Sequence, residues 1–480
     1  MNAPLRRVAI SVLVLFTLLI LNVNYIQVVR ADKLRQDPGN TRVLAAEYGR
    51  ARGSIIADGT QIAESVPTHD NLKYLRRYPG GAAYAPVTGY YSLVYGNTAL
   101  ERAENDVLSG NDPKLFVRHL ADLFTGRDPS GGDVVTTIDN KAQQAAMAGL
   151  AAGNVTGAVV ALDPTTGAVL ALASTPTYDP NKPSSHDPKA IRAYRAQLSD
   201  AQIDNQAINE RYSPGSVFKV IVSAAALSSG TYTPDTKVPA PDKLPLPQST
   251  KKLENFNGES CNGGADQSLI AALTISCNTA FAQLGMTLGR DKVQSMAAAF
   301  GIDDSGFTMP LKVVPSTVGK IQSQAQLALS SIGQQDVQIT PMEGAMIAAT
   351  VANGGKMMRP YLVDKVRAPD LTVIDQTDPE VMSRPITAQV ASQLTTMMTS
   401  VVDHGTGRKA QIPGVQVGGK TGTAQSDPEA QDNSWFVGFA TGQHPIAVAV
   451  FIKHGGATGG DISAPIARQV MQAYLSGQGG

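Results

Sequence analysis

Arg6 and Arg7 are followed by an uncharged stretch, residues 8–29, that divides the chain into a bilayer-compatible segment and a long water-exposed body. As a helix this stretch would be about 33 Å long, against a bilayer core of about 30 Å. Residues 8–21 are apolar apart from Ser11 and Thr17, and the remainder carries Asn22, Asn24 and Gln27. No small-x-small cleavage site follows, so the stretch reads as an uncleaved signal-anchor. Flanking charge does not orient it, because Arg30, Lys33, Arg35, Arg42 and Arg50 lie beyond the span against Arg6 and Arg7 before it. The chemistry of the body, read from its motifs below, is the ground for placing it outside, as a single-pass cell-membrane protein with an extracytoplasmic body.

At 480 residues the chain has room for two or three domains and a large core. Its 40 basic and 40 acidic residues balance, which gives no electrostatic footprint for a nucleic-acid partner. The six histidines are scattered and only two cysteines are present, so no metal-ligand set and no cofactor motif is visible. Cys261 and Cys277 fit a disulfide in an oxidising compartment and two unpaired thiols equally well, since sequence separation does not fix distance.

Three parts follow in order: residues 1–30 as tail and anchor, 31–132 as a small non-catalytic domain, and 133–480 as the catalytic domain. In the second, Arg52 to Gly59 predicts a strand ending in an Asp-Gly turn, with a hairpin partner at 63–66. Gly131-Gly132 marks the boundary. Residues 134–138 predict a strand, 140–152 a helix, and 156–173 a hairpin around Asp163-Pro164-Thr165-Thr166-Gly167. Residues 178–213 read as a loop, and a long helical body is expected to about residue 410. Strands at 415–423, 435–440 and 446–452 and a helix at 463–475 close the chain. The fold class is α+β, an antiparallel sheet flanked by helices.

Pro214-Gly215-Ser216 delivers a serine to the start of an Ala-rich apolar helix, with Lys219 on the same face at i+3. A hydroxyl at a helix mouth, beside a lysine, suits a nucleophile and its base. The lysine must be neutral, and moving it from about 10.4 to near neutrality costs roughly 4 kcal/mol, which burial and a second cation must supply. A helix N-cap is the ordinary role for a serine placed there. A second Ser-x-x-Lys, Ser249 and Lys252, lies in a Pro- and Lys-rich loop. Lys420-Thr421-Gly422-Thr423 sits on a predicted strand, where a mid-strand glycine admits close approach of a backbone or ligand. Ser276-Cys277-Asn278 joins two apolar helical runs, a rigid place for a proton relay, whereas the similar Ser260-Cys261-Asn262 lies in a Gly-rich loop.

Ser-x-x-Lys, Ser-x-Asn and Lys-Thr-Gly in this order are the motif set of β-lactamases and penicillin-binding proteins. The chain resembles the class B penicillin-binding proteins over nearly its whole length, and within them the actinobacterial penicillin-binding protein A group. Arg52-Gly53-x-Ile55, Ala99-Leu100-Glu101, Tyr178-Asp179-Pro180-Asn181, Ser331-Ile332-Gly333-Gln334 and Thr340-Pro341 also resemble family segments. Cys277 and the short N-terminal domain depart from the common pattern. The resemblance implies a penicillin-binding transpeptidase domain in which Ser216 attacks the penultimate D-Ala carbonyl of a peptidoglycan stem peptide. Lys219 would be the base, and Ser276 with Lys420 would pass a proton to the leaving amine. Asn278 would bind the substrate amide, and Thr421, Gly422 and Thr423 the end bearing the carboxylate. The Ser216 and Thr423 N–H groups would form an oxyanion hole. Implied partners are stem peptides, β-lactams as covalent inhibitors, the bilayer and a membrane peptidoglycan glycosyltransferase.

A D,D-carboxypeptidase shares this acylation chemistry, and a serine β-lactamase shares the fold. A class A β-lactamase would need Glu-x-x-Asn between Asn278 and Lys420, where the only glutamates, Glu343 and Glu380, lack that pattern. About a hundred N-terminal residues are too few for a second, glycosyltransferase domain. A non-catalytic β-lactam-binding scaffold or sensor keeps the same motifs, but only seven residues precede the span to carry a cytoplasmic output.

Overall fold

The computed structural model describes residues 2–30, 34, 48–115, 130–424 and 431–478. Helix α1 (Asn2–Asn24) continues into a π-helical turn (Tyr25–Val29), exposed from Pro4 onward. Among the described residues, Pro4–Val29 is the one helix long and apolar enough to cross a membrane. Lys33, Arg35 and Arg42, weighed above for orientation, lie outside the described residues.

The hairpin expected at the Asp58-Gly59 turn is β1 (Ile55–Ala57) and β2 (Thr60–Pro67), with β3 (Tyr74–Arg77) added antiparallel to β2. Fully buried Glu101 ties this segment together. It accepts from Arg52 Nε and Arg76 Nε, each at 2.6 Å, and from the Tyr78 hydroxyl at 3.2 Å. Burial opposes its ionisation, but Arg76 and Arg52 outweigh burial and hold the carboxyl below the usual range.

β4 (Asp133–Thr136) lies parallel to β1. Asp139 caps α2 (Asn140–Ala152), accepting from the Ala142 N–H at 2.8 Å, and β5 (Thr156–Leu162) and β6 (Val169–Thr175) form the expected hairpin. The region read as loop contains α3 (Pro188–Arg195), capped by Asp187. Only Ile191 of this helix is buried, so no apolar period marks it in the sequence. A 3₁₀ turn (Gly215–Phe218) opens α4 (Lys219–Ser228), and α5 (Leu269–Thr274), α6 (Asn278–Leu288) and α7 (Pro341–Ala352) follow.

The helical body is then interrupted by β7 (Val363–Arg367) and β8 (Val373–Gln376), which the sequence reading had absorbed into it. They complete a six-stranded sheet ordered β8-β7-β4-β1-β2-β3, so the sheet straddles Gly131-Gly132. After α8 (Ala388–His404) come β9 (Val417–Ala424), β10 (Asn433–Ala440), β11 (Ile446–Lys453) and the closing helix α9 (Ala464–Gly477).

The catalytic sheet is antiparallel throughout, in the order β9-β10-β11-β5-β6. Its period-2 alternation feeds two cores. Ala158, Val160 and Leu162 join the core containing α7, while Val159 and Ala161 join the one containing α2 and α9. Helices cover both faces, which is why β5 and β6 are buried along almost their whole length.

Candidate active site

Ser216 lies in the turn that opens α4, and edge strand β9 packs directly against that turn. Two glycines make the approach possible. Gly215 has a φ of +51°, and a Cβ there would lie 2.5 Å from the Thr423 carbonyl oxygen. A Cβ on Gly422 would lie 2.6 Å from the Pro214 carbonyl oxygen. The residues around Gly333 and Trp435 brace the turn further. Gly215 N–H and Ser213 Oγ donate to the Gly333 carbonyl at 3.0 and 2.7 Å, and Trp435 Nε1 donates to the Ser213 carbonyl at 2.9 Å.

Lys219 and Lys420 are both fully buried. Lys219 Nζ donates to the Ser276 carbonyl and to Asn278 Oδ1, each at 2.7 Å, and lies 3.3 Å from Ser276 Oγ. Lys420 Nζ donates to the same Ser276 Oγ and to the Thr421 carbonyl, each at 2.8 Å. One hydroxyl therefore bridges two amines. Burial drives Lys219 well below the ordinary lysine range and the Lys420 charge adds to it, while burial pushes Lys420 down to about 7. In neutral Lys219 the two 2.7 Å acceptors engage both N–H bonds, leaving the lone pair free to take a proton. Ser276 occupies the left-handed region with φ 61°, between the end of α5 and the start of α6. Such a conformation costs a non-glycine residue about 1–3 kcal/mol. The same tight turn presents both the carbonyl and the hydroxyl of Ser276 to Lys219.

A cavity of about 390 Å³ opens over this web, and Ser216, Ser276, Asn278, Thr421 and Thr423 line it. Lys219 and Lys420 lie beneath its surface. Gly422 is not on the lining and instead packs against Pro214. Cys261 and Cys277 are joined by a disulfide, with Cα atoms 6.1 Å apart, and form part of one wall. Ser249 and Lys252 are both exposed, and Ser260 donates to Asp242 at 2.5 Å, so neither duplicate serine joins the lysine web, although Ser260 and Cys261 lie on the cavity wall. A larger cavity, about 470 Å³, lies between residues 85–103 and 202–209 and contains no residue of the Ser-x-x-Lys, Ser-x-Asn or Lys-Thr-Gly motifs.

The sequence reading did not single out Asn255, Thr406 or Thr458, which also line the catalytic cavity. Thr406 Oγ1 and Thr421 Oγ1 are 2.6 Å apart, so Thr406 orients a hydroxyl of the Lys-Thr-Gly strand. Gly405 and Gly407 flank it and were its only local signal. Asn255 lies in a polar loop that carries no signal at all.

The fold and its three motifs are those of the serine acyltransferases that react with penicillins. The chain belongs to the penicillin-binding protein transpeptidase family: residues 157–472 match the penicillin binding protein transpeptidase domain, and residues 52–134 the penicillin binding protein A dimerisation domain. It is 48% identical over 489 residues to the peptidoglycan D,D-transpeptidase PbpA of Mycolicibacterium smegmatis, covering 99% of each chain. It is likewise 48% identical over 492 residues to PbpA of Mycobacterium tuberculosis H37Rv, covering 100% of both. The ceftriaxone acyl-enzyme structure of M. tuberculosis penicillin-binding protein A superposes with a TM-score of 0.87 at 47% identity, covering 90% of this chain and 100% of that one.

Proposed function

We propose that this chain is a membrane-anchored, serine-type D,D-transpeptidase that crosslinks peptidoglycan stem peptides and is acylated by β-lactams at Ser216. The observation that carries the reading is the Ser276 hydroxyl held between two buried lysines beneath the cavity that Ser216 lines. Ser216 Oγ attacks the penultimate D-Ala carbonyl as Lys219 takes its proton. The oxyanion is met by the backbone N–H groups of Ser216 and Thr423, each such donor being worth about 3 kcal/mol. Collapse breaks the peptide bond. The leaving D-Ala amine receives a proton through Ser276, which Lys420 resupplies. An amine from a second stem peptide then attacks the ester, its proton passing through Ser276 back to Lys420; the ester bond breaks, Lys219 returns its proton to Ser216, and the crosslink is formed.

Asn278 Oδ1 is committed to Lys219, while its Nδ2 makes only a long 3.5 Å bond to the Glu254 carbonyl and keeps a donor for a substrate carbonyl. Thr421 and Thr423 bind the terminal carboxylate, and Gly422 serves by letting β9 reach the Ser216 turn. Residues 1–30 anchor the chain and the body lies outside the cytoplasm, where peptidoglycan is. Residues 31–132 are read as a non-catalytic module and 133–480 as the catalytic domain, a reading supported by the described strands at 55–77, which share a sheet with those at 133–136 and 363–376. A membrane glycosyltransferase supplying new strands is the partner this chemistry calls for, and family resemblance is its support.

The test is incubation of the full-length chain in detergent with a pentapeptide-bearing peptidoglycan precursor. Release of D-Ala with formation of a crosslinked dimer is expected. Release of D-Ala with only the hydrolysed tetrapeptide would replace the reading with a carboxypeptidase.

A further inference from the structure

The Ser276-Cys277-Asn278 turn is held from outside by a loop that belongs to none of the motifs. The N-terminal residue flanking α6, Cys277, makes no side-chain cap, which would leave the first N–H groups of the helix without partners. Asn255, all but 7% buried, supplies the missing acceptor. Its Oδ1 receives the N–H of Asn278 at 2.8 Å and that of Thr279 at 3.1 Å, while its Nδ2 donates to the Glu259 carbonyl at 3.0 Å. Asn255 therefore acts as a helix cap delivered from a distant part of the chain.

The loop that carries Asn255 has no helix or strand longer than three residues and is held by turn hydrogen bonds such as Gly258 N–H to the Asn255 carbonyl. It makes two short 3₁₀ turns, in which Asn257 and Asn262 both have φ of 52°. The Cys261–Cys277 disulfide pins it, and the Cys277 sulfur lies 3.6 Å from Asn255 Oδ1. The cap and the covalent tie thus meet at the residue between Ser276 and Asn278, whose oxygens receive Lys219. We propose that Asn255 is a positioning residue for acylation, fixing the start of α6 so that Ser276 and Asn278 stay on Lys219, and that the disulfide keeps Asn255 in place.

This inference rests on the acyl-serine reading, and its test separates the two. The full-length chain in detergent is reacted with BODIPY-labelled penicillin V, and the second-order labelling rate and melting temperature are measured. The proteins are wild type, Asn255→Ala and Asn255→Asp, each with and without dithiothreitol, which opens the disulfide to two thiols and itself closes to a cyclic disulfide. Asn255→Ala should slow labelling roughly 10- to 100-fold, the loss expected when reacting groups shift by about an ångström. Asn255→Asp keeps the acceptor and should restore most of the rate, which a general loss of stability would not allow. Reduction should slow the wild type yet add little to Asn255→Ala, because both act through the same hydrogen bonds. Wild-type rates in Asn255→Ala, or independent multiplying effects of reduction and mutation, would overturn the inference. Should Asn255→Ala not fold, the wild type decides, and an unchanged rate on reduction overturns it. Absence of labelling in wild type would refute the transpeptidase reading instead.

Discussion

Replacing Lys420 by Met removes a buried charge while keeping an unbranched side chain of similar length. The two lysine nitrogens approach one Ser276 Oγ at 3.3 and 2.8 Å, so they are at most about 6 Å apart. At an effective dielectric of about 20, two unit charges at that distance repel by roughly 2.7 kcal/mol, or about 2 pKa units. Lys420 is one of the two causes that depress Lys219, so removing it raises Lys219 towards its ordinary value. The acid limb of the acylation profile, where Lys219 must lose its proton, should therefore move up by about 2 pH units or more. The alkaline limb from Lys420, pushed down to about 7, should disappear. In wild type the two limbs belong to the coupled pair rather than to either lysine. At neutral pH the variant should also lose about 10²–10⁴ in rate, because the proton relay has lost its source. The assay is the second-order rate of fluorescent penicillin labelling across the pH range. An acid limb that stays in place in Lys420→Met would refute the coupling of the two amines.

Gly422→Ala would place a methyl 2.6 Å from the Pro214 carbonyl, prising β9 from the Ser216 turn, and stopped-flow acylation should slow by about 10²-fold. Thr406→Val removes the 2.6 Å partner of Thr421. Binding of a carboxylate-bearing donor should weaken about fivefold, the equivalent of one net hydrogen bond, and Thr406→Ser should restore it in the same titration. Glu101→Gln leaves two buried guanidiniums under-compensated, at a cost of about 3–5 kcal/mol, and should lower the melting temperature by about 3–5 °C. The Glu101 carboxyl is depressed in the fold, so its contribution is present at neutral pH and fades as acid protonates it. The wild-type and variant melting curves should therefore converge at low pH.

What the letters reveal follows from how local the physics is. The helix at 140–152 and the hairpin at 156–173 carry their own apolar period and turn chemistry, and the structure contains both. Helix 188–195 buries one residue, so its pattern is polar and indistinguishable from a loop. β7 owes its state to pairing with β4, reached from more than two hundred residues away, and β8 to pairing with β7, so neither is legible in the local pattern. The catalytic letters were visible because the motif set constrains residue types at short spacing. Their meeting was not, since Lys420 reaches Ser276 across a separation of 144 residues. Asn255 and Thr406 are ordinary residues in ordinary loops, and only the fold makes one a cap and the other an orienting group.

The central claim is that Ser216 becomes covalently acylated. Full-length chain treated with penicillin G, digested and mapped by mass spectrometry should carry a lasting adduct on the peptide containing Ser216. The adduct should be absent from Ser216→Ala. An adduct on another residue, or one that survives in Ser216→Ala, would contradict the account.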